Sequence, residues 1–315
     1  MQKRVKCVFL GSSWESVETL KALHQDKRFN VVGVITGVDK PVGRKQILTP
    51  FEVKKYALDS GIEVFHTEKN VDRYQKAIEI FKPELVVCKA FGELIPKFFL
   101  EYPKYKAINI HFSLLPKYRG AVPIQKAILE GEKETGISIM LMTEKLDEGD
   151  ILEVFKEPIL PTDTNLSLRT RLVKKNAEVI GDVLMKWING EISPKKQDHN
   201  KATYCWQPDI SKEKAEIRWE EMEPEYIERL TRAMIPWPVA WTRLHNGKTL
   251  KLFSVQLLPI QSSLAPGTLH RKNNMLLLST KDPNLSIRVL DAQIEGKKRM
   301  NERDLLNGLP LNKNA

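Results

Sequence analysis

The chain has 315 residues, 42% of them hydrophobic and 29% charged, with a net charge of +10. That length can bury a large core and is expected to hold two domains, and the composition is that of an ordinary soluble protein. The apolar run Val8–Leu10 is too short for a signal peptide or a membrane span, and Cys7, Cys88 and Cys205 show no metal or disulfide spacing, so a reducing cytoplasm is expected and no membrane.

From the amino terminus, Val5–Leu10 reads as a strand, Trp14–Leu23 as a helix, Val31–Thr36 as a strand and Pro50–Leu58 as a helix. Val71–Phe81 follows as a helix, then Leu85–Cys88 and Ala107–His111 as strands. This βαβ rhythm predicts an α/β fold, a Rossmann-like parallel sheet with helices on both faces. Ile137–Met142 and Ile151–Pro158 read as later strands of the same sheet, flanking an acidic loop. Leu166–Ile188 is a long amphipathic helix, with Thr164 as its N-cap and Gly190 as its stop. Periodicity is lost over 190–210, which reads as a linker. A helix at Pro224–Met234 is followed by short strands at Ala240–Leu244, Thr249–Leu257, Gly267–His270, Met275–Ser279 and Ile287–Ala292. Asn246-Gly247 signals a type I′ hairpin between the first two. Five short strands and little helix predict a small β-barrel resembling the oligonucleotide-binding fold. The expected division is 1–189 for a first domain, 190–210 for the linker and 211–315 for the second domain.

Charge is unevenly placed. Residues 229–315 hold 14 Lys and Arg against 5 Asp and Glu, and the rest of the chain is nearly neutral. A neutral body with a basic appendage suits a polyanionic partner, although basic domains without one are common.

The most informative stretch runs from Asn109 through Ile110, His111, Phe112, Ser113, Leu114, Leu115, Pro116, Lys117, Tyr118 and Arg119 to Gly120. It begins as a strand and ends as a turn. Alternation places Asn109 and His111 on one face, where the strand gives way to a loop. In open α/β sheets, that carboxyl end is where ligands bind. The loop Leu146-Asp147-Glu148-Gly149-Asp150-Ile151 can supply a carboxylate to the same site, with Glu144, Asp147, Glu148 and Asp150 all candidates. An amide donor, an imidazole and a carboxylate together suit acyl transfer. The first turn, Gly11-Ser12-Ser13-Trp14-Glu15-Ser16, lacks the G-x-G-x-x-G pattern of a dinucleotide dehydrogenase.

Asn109-x-His111-x-Ser113-Leu114-Leu115-Pro116, followed by Leu146-Asp147-x-Gly149-Asp150, resembles the signature of the 10-formyltetrahydrofolate-dependent formyltransferases. The resemblance runs from Val8 to about Gly308, and it is best with those members that formylate initiator methionyl-tRNA. It implies an enzyme acting in translation initiation, with 10-formyltetrahydrofolate as co-substrate, no metal, and initiator methionyl-tRNA as partner; a monomer is expected. It favours Asp147 among the four carboxylates. By the resemblance, Asn109 donates to an oxyanion, His111 donates there or protonates the leaving nitrogen, and Asp147 holds the imidazole and helps remove the ammonium proton through water. Phe91, Gly92 and Ile95, with Ser113, Leu114, Leu115 and Pro116, are implied folate contacts. Lys40, Arg44 and Lys45 match a basic loop that enters the tRNA acceptor arm, and Lys297, Lys298 and Arg299 are the best candidates for a basic patch. Trp219 and Trp237 are expected in an inter-domain core rather than as base-stacking residues. Two segments depart from the family pattern: Gly11-Ser12-Ser13-Trp14-Glu15 stands for the usual Gly-Thr-Pro-x-Phe, and Cys205-Trp206-Gln207-Pro208 for the more usual Ala-x-Lys-Ile region. An amino-sugar N-formyltransferase, a formyltetrahydrofolate hydrolase and a non-catalytic RNA-binding protein remain as alternatives.

Overall fold

The structure, a computed structural model, describes residues 3–42 and 45–308. Its strands in chain order are β1 (Val5–Gly11), β2 (Phe29–Ile35), a small hairpin of β3 (Lys40–Val42) and β4 (Ile47–Thr49), β5 (Val64–Phe65), β6 (Leu85–Lys89), β7 (Ala107–His111), β8 (Arg119–Gly120), β9 (Glu134–Leu141), β10 (Ile151–Pro158) and β11 (Tyr204–Cys205). Helices α1 (Trp14–Gln25), α2 (Glu52–Asp59), α3 (Val71–Phe81), α4 (Lys97–Glu101), α5 (Pro123–Leu129) and α6 (Asn165–Ile188) are interspersed among them. The rest comprises α7 (Pro224–Ala233), β12 (Ala240–Arg243), β13 (Thr249–Leu258), β14 (Leu269–Lys272), β15 (Met275–Ser279), β16 (Ser286–Ile294), β17 (Met300–Asn301) and α8 (Glu302–Gly308).

The chain divides into two compact units. One takes residues 1–120, 135–157 and 169–204; the other takes 121–134, 158–168 and 205–315. The first is built on a seven-stranded sheet in the order β10-β9-β7-β6-β1-β2-β5. β1, β2, β5, β6 and β7 pair in parallel, as their continuous apolar runs predict, since strands covered on both faces need no polar alternation. Every residue of β6 is buried. Beneath it, Val8, Leu10, Tyr74, Phe81, Val86, Phe91, Ile95 and Phe99 share one cluster. β9 joins the same sheet, as expected, but runs antiparallel to β7. Apolar periodicity reports burial and carries no strand direction.

Helix ends follow their side chains. Thr164 caps α6: its hydroxyl oxygen accepts from the Ser167 N–H, while the Ser167 oxygen accepts from the Thr164 N–H. Gly190, at φ +76°, stops it.

The second unit carries an antiparallel sheet in the order β12-β13-β16-β15-β14, with β17 on β16. The Asn246-Gly247 turn is not type I′. Gly247 lies at φ +77° and Asn246 does not have a positive φ. The Gly247 N–H donates to Leu244 O and the Leu244 N–H to Lys248 O, so a type I turn is closed by a glycine bulge. Trp219 is buried and donates from Nε1 to Thr242 Oγ1. Trp237 differs from the core expectation, being 52% exposed between two prolines that cannot join a sheet ladder.

Candidate active site

The site is built at the carboxyl ends of β6 and β7. β7 ends at His111, and the chain then turns through Ser113–Pro116, where the Leu115–Pro116 peptide is cis. Ser138 of β9 holds that turn: its hydroxyl donates to Ser113 O at 2.7 Å and accepts from Leu115 N at 3.1 Å. Ser113 Oγ donates to Lys117 O at 2.6 Å. The turn's polar groups are thus satisfied by Ser138 and by Ser113 itself, and Leu114 is half-buried.

Asn109, His111 and Asp147 converge. Asn109 Nδ2 donates to Asp147 Oδ1 at 3.2 Å. Asp147 Oδ2 lies 3.5 Å from His111 Nδ1 and accepts from the Gly120 N–H at 2.8 Å. His111 Nε2 is 2.8 Å from Tyr118 O. A carbonyl can only accept, so Nε2 carries a hydrogen, and Nδ1 faces a carboxylate that can also accept. Both His111 and Asp147 are buried, which strengthens each of these contacts relative to water. Of the four candidate carboxylates, Asp147 is the one that meets His111. Glu148 instead faces Arg119 at 3.3 Å.

The loop carrying Asp147 is held in an unusual shape. Asp147 has φ +52°, a left-handed conformation uncommon outside glycine. A side chain at Gly149 would bring its Cβ to 1.7 Å from Leu141 O, so the loop approaches β9 as only glycine can.

Two residues of this site escape sequence reasoning. Arg119 is wholly buried, and Gln197, 6% exposed, lies in the stretch read as a linker. Arg119 donates from Nε and Nη2 to Gln197 Oε1 at 3.2 and 2.8 Å. Gln197 Nε2 donates to the carbonyls of Asp147 and Gly149, each at 2.8 Å. The Arg-Gly step after the turn was a visible signal for Arg119; a single Gln in a polar stretch offers none.

The other expected residues are spread around this centre. In the loop after β6, Phe91 and Ile95 turn into the core, Gly92 is exposed at φ +82°, and Leu94 is 86% exposed. Glu93 anchors that loop by accepting from Thr67 Oγ1, Tyr74 OH and the Lys69 N–H. β6 closes on Lys89, whose ammonium lies 3.4 Å from Glu15 and 3.4 Å from the centre of the Phe112 ring. Burial pushes Lys89 below its usual range although Glu15 pulls the other way. Burial alone would raise Glu15, but Lys89 and Arg169 outweigh it and hold the carboxyl below its usual range. The departure at Glu15 therefore brings in a buried ion-pair cluster. Lys40 is exposed on the small hairpin, 5.6 Å from the Phe51 ring, and Lys45 is exposed beside it. Arg44 lies outside the described residues. Lys297 and Lys298 are exposed in the turn after β16, whereas Arg299 is paired with Asp291 at 2.6 Å and stacked on Phe253. Among the described residues, no three His, Cys, Asp or Glu side chains gather to hold a metal ion, and no helix is long and apolar enough to cross a membrane.

Known proteins match both parts of the chain. The formyl transferase family matches residues 5–184, and the formyl transferase C-terminal domain matches residues 209–310. The chain is 42% identical over 306 residues to the methionyl-tRNA formyltransferase of Halalkalibacterium halodurans, covering 96% of this chain and 95% of that one. In structure it is similar to an N-formyltransferase from Helicobacter canadensis in complex with folinic acid and dTDP-3-aminofucose, with a TM-score of 0.67 at 20% identity, covering 90% of this chain and 98% of that one. It is also similar to HypX from Aquifex aeolicus in complex with tetrahydrofolic acid, with a TM-score of 0.62 at 16% identity; the match covers 97% of this chain and 47% of that longer one. At such identities the two solved structures show a shared fold. The sequence identity to the bacterial relative, sustained over nearly the whole of both chains, goes further: this protein is an enzyme that belongs to the formyl transferase family, among the methionyl-tRNA formyltransferases.

Proposed function

We propose that this enzyme transfers the formyl group of 10-formyltetrahydrofolate to the α-amino group of initiator methionyl-tRNA, giving N-formylmethionyl-tRNA for translation initiation. The convergence of Asn109, His111 and Asp147, in a chain so similar to curated methionyl-tRNA formyltransferases, carries this reading. The amine nitrogen attacks the formyl carbon, the carbonyl oxygen takes up negative charge, the carbon–N10 bond breaks, N10 gains a proton and the amine loses one. Asn109 spends one Nδ2 hydrogen on Asp147 and offers the other to the oxyanion. The Nε2 hydrogen of His111 now points at Tyr118 O, so giving it to N10 or the oxyanion entails opening that 2.8 Å bond. Asp147 holds the imidazole and takes the ammonium proton through water, help of a kind worth about 10²–10⁴-fold.

Residues 1–189 carry the reacting side chains, 190–210 join the parts and bring Gln197 to the Asp147 loop, and 211–315 dock the RNA. The folate ring lies against the loop 91–95 and the turn Ser113–Pro116. Because Phe91 and Ile95 face inward, the loop serves the ring through its backbone, with Gly92 leaving room for close approach. Lys40, Arg44 and Lys45, and separately Lys297, Lys298 and Arg299, meet RNA phosphates.

Single-turnover formylation tests this directly. The protein is mixed with 10-formyltetrahydrofolate and either methionyl-tRNA or an amino-sugar nucleotide. Transfer to methionyl-tRNA is expected; transfer to the sugar alone would overturn the acceptor while keeping the site.

A further inference from the structure

We infer that Gln197 is a positioning residue for Asp147, acting with Arg119 to hold the 147–149 loop in its working shape; this rests on the formyl transfer proposed above. The Asp147 carboxylate is fixed by Asn109, His111 and Gly120, but these partners act on the side chain alone. The backbone beneath it is in the left-handed region, where a non-glycine residue needs outside support. Gln197 supplies that support. Both Nε2 hydrogens are spent on the loop, one on Asp147 O and one on Gly149 O, each at 2.8 Å. Its oxygen takes two N–H groups of Arg119.

This arrangement admits one orientation of the amide, with oxygen on the guanidinium and nitrogen on the two carbonyls. Arg119 is itself immobilised: it is wholly buried and reaches Tyr204 OH at 3.2 Å, His199 Nδ1 at 3.2 Å and Glu148 at 3.3 Å. Its own N–H donates to Thr203 O, and the next N–H, from Gly120, goes to Asp147. Arg119-Gly120 therefore grips Asp147 twice, directly through Gly120 and indirectly through Gln197. A carboxamide suits this place because it has two donors at one end and an acceptor at the other. Glutamate keeps the shape and the Arg119 bond but turns an oxygen toward two carbonyls. Methionine keeps the length and has no donor to offer. Either change releases the loop backbone, and displacing a reacting group by about 1 Å can cost about 10²-fold in rate.

The test uses the full-length protein as wild type, Gln197→Glu and Gln197→Met. It compares single-turnover formylation of methionyl-tRNA, equilibrium binding of tetrahydrofolate and of methionyl-tRNA, the pH profile of the rate, and thermal melting. The expected result is a transfer slower by about 10- to 100-fold, binding of both molecules within about threefold of wild type, and a displaced pH profile. A variant that melts without cooperativity is set aside and the other decides; failure of both to fold assigns Gln197 to stability and overturns the inference. So does a rate within about threefold of wild type, or a slower rate that follows weakened binding with the pH profile unmoved. A wild-type protein inert toward methionyl-tRNA overturns the proposed acceptor first, before any variant is read, and the inference with it.

Discussion

Asn109 and Asp147 stand 38 positions apart and meet through a hydrogen bond of 3.2 Å. Asp147 accepts from Asn109 Nδ2 and from the Gly120 N–H, and its Oδ2 lies 3.5 Å from His111 Nδ1. Replacing it by asparagine sets an amide nitrogen against donors that expect oxygen. Asp147→Asn is expected to slow transfer by about 10²–10⁴-fold, and His111→Asn likewise, with tRNA affinity within a few-fold. Rapid-quench kinetics with filter binding checks both; abolished tRNA affinity with intact catalysis would move the site elsewhere.

Gly149→Ala tests the same loop from its far side. The added Cβ meets Leu141 O at 1.7 Å, so β9 or the loop must shift. A destabilisation of about 1–3 kcal/mol is expected, with loss of turnover. Chemical denaturation and the formylation assay read the two effects separately.

The basic turn after β16 is expected to act through two residues more than three. Lys297 and Lys298 have no ion-pair partner among the described residues, while Arg299 already serves Asp291. Lys297→Ala with Lys298→Ala should lower the salt-dependence slope of tRNA binding by about 0.7–0.9 for each phosphate left without its lysine, and Arg299→Ala should change it less. Equal slopes in all variants would remove this turn from the RNA surface.

What could be read from the residues alone depended on what burial imprints on a sequence. Val71–Phe81, Ala107–His111 and Ile151–Pro158 have the bounds expected of them, the helix because Tyr74, Ala77, Ile78 and Phe81 are buried at helical spacing. The hairpin of β3 and β4 left no such mark: Ile47 and Leu48 are 61% and 67% exposed. The direction of β9 was invisible for the same reason, since a buried run reads alike both ways. Four carboxylates competed for one place; the family resemblance picked Asp147, while the left-handed φ of its backbone left no mark in the sequence. Gln197 is a polar residue in a polar stretch, and its burial comes from three partners distant in sequence.

Acid stability has a nameable contributor. The Lys6 N–H and the Lys3 ammonium bond the Glu84 carboxylate, each at 3.0 Å, and hold it below its usual range. A carboxyl lowered in the folded state stabilises above its unfolded value, about 4.3, and that contribution is lost as pH falls through the lower folded value. Glu84→Gln should therefore be less stable than wild type at neutral pH, with the gap closing below about pH 4. Urea unfolding at neutral and at acid pH measures it, and a gap that is constant with pH would exclude the carboxylate as its source.

Thiol chemistry should be silent in the folded protein. Burial pushes Cys7 and Cys88 up to about 12, so neither is a thiolate in mildly alkaline buffer, and Cys205 is buried as well. A thiol-reactive disulfide dye should label none of the three in native buffer and all three in denaturant. Fast native labelling would show that one of them is exposed.

Domains tend to fold as they are synthesised, from the amino end. A ribosome making this chain releases Asn109 and His111 first, the Asp147 loop later and Gln197 later still. The nascent protein thus has its parallel strands long before it has a braced carboxylate. A fragment ending at residue 189 would carry Asn109, His111 and Asp147 but lack the amide that braces the third, so catalytic competence is a late event in the birth of this enzyme.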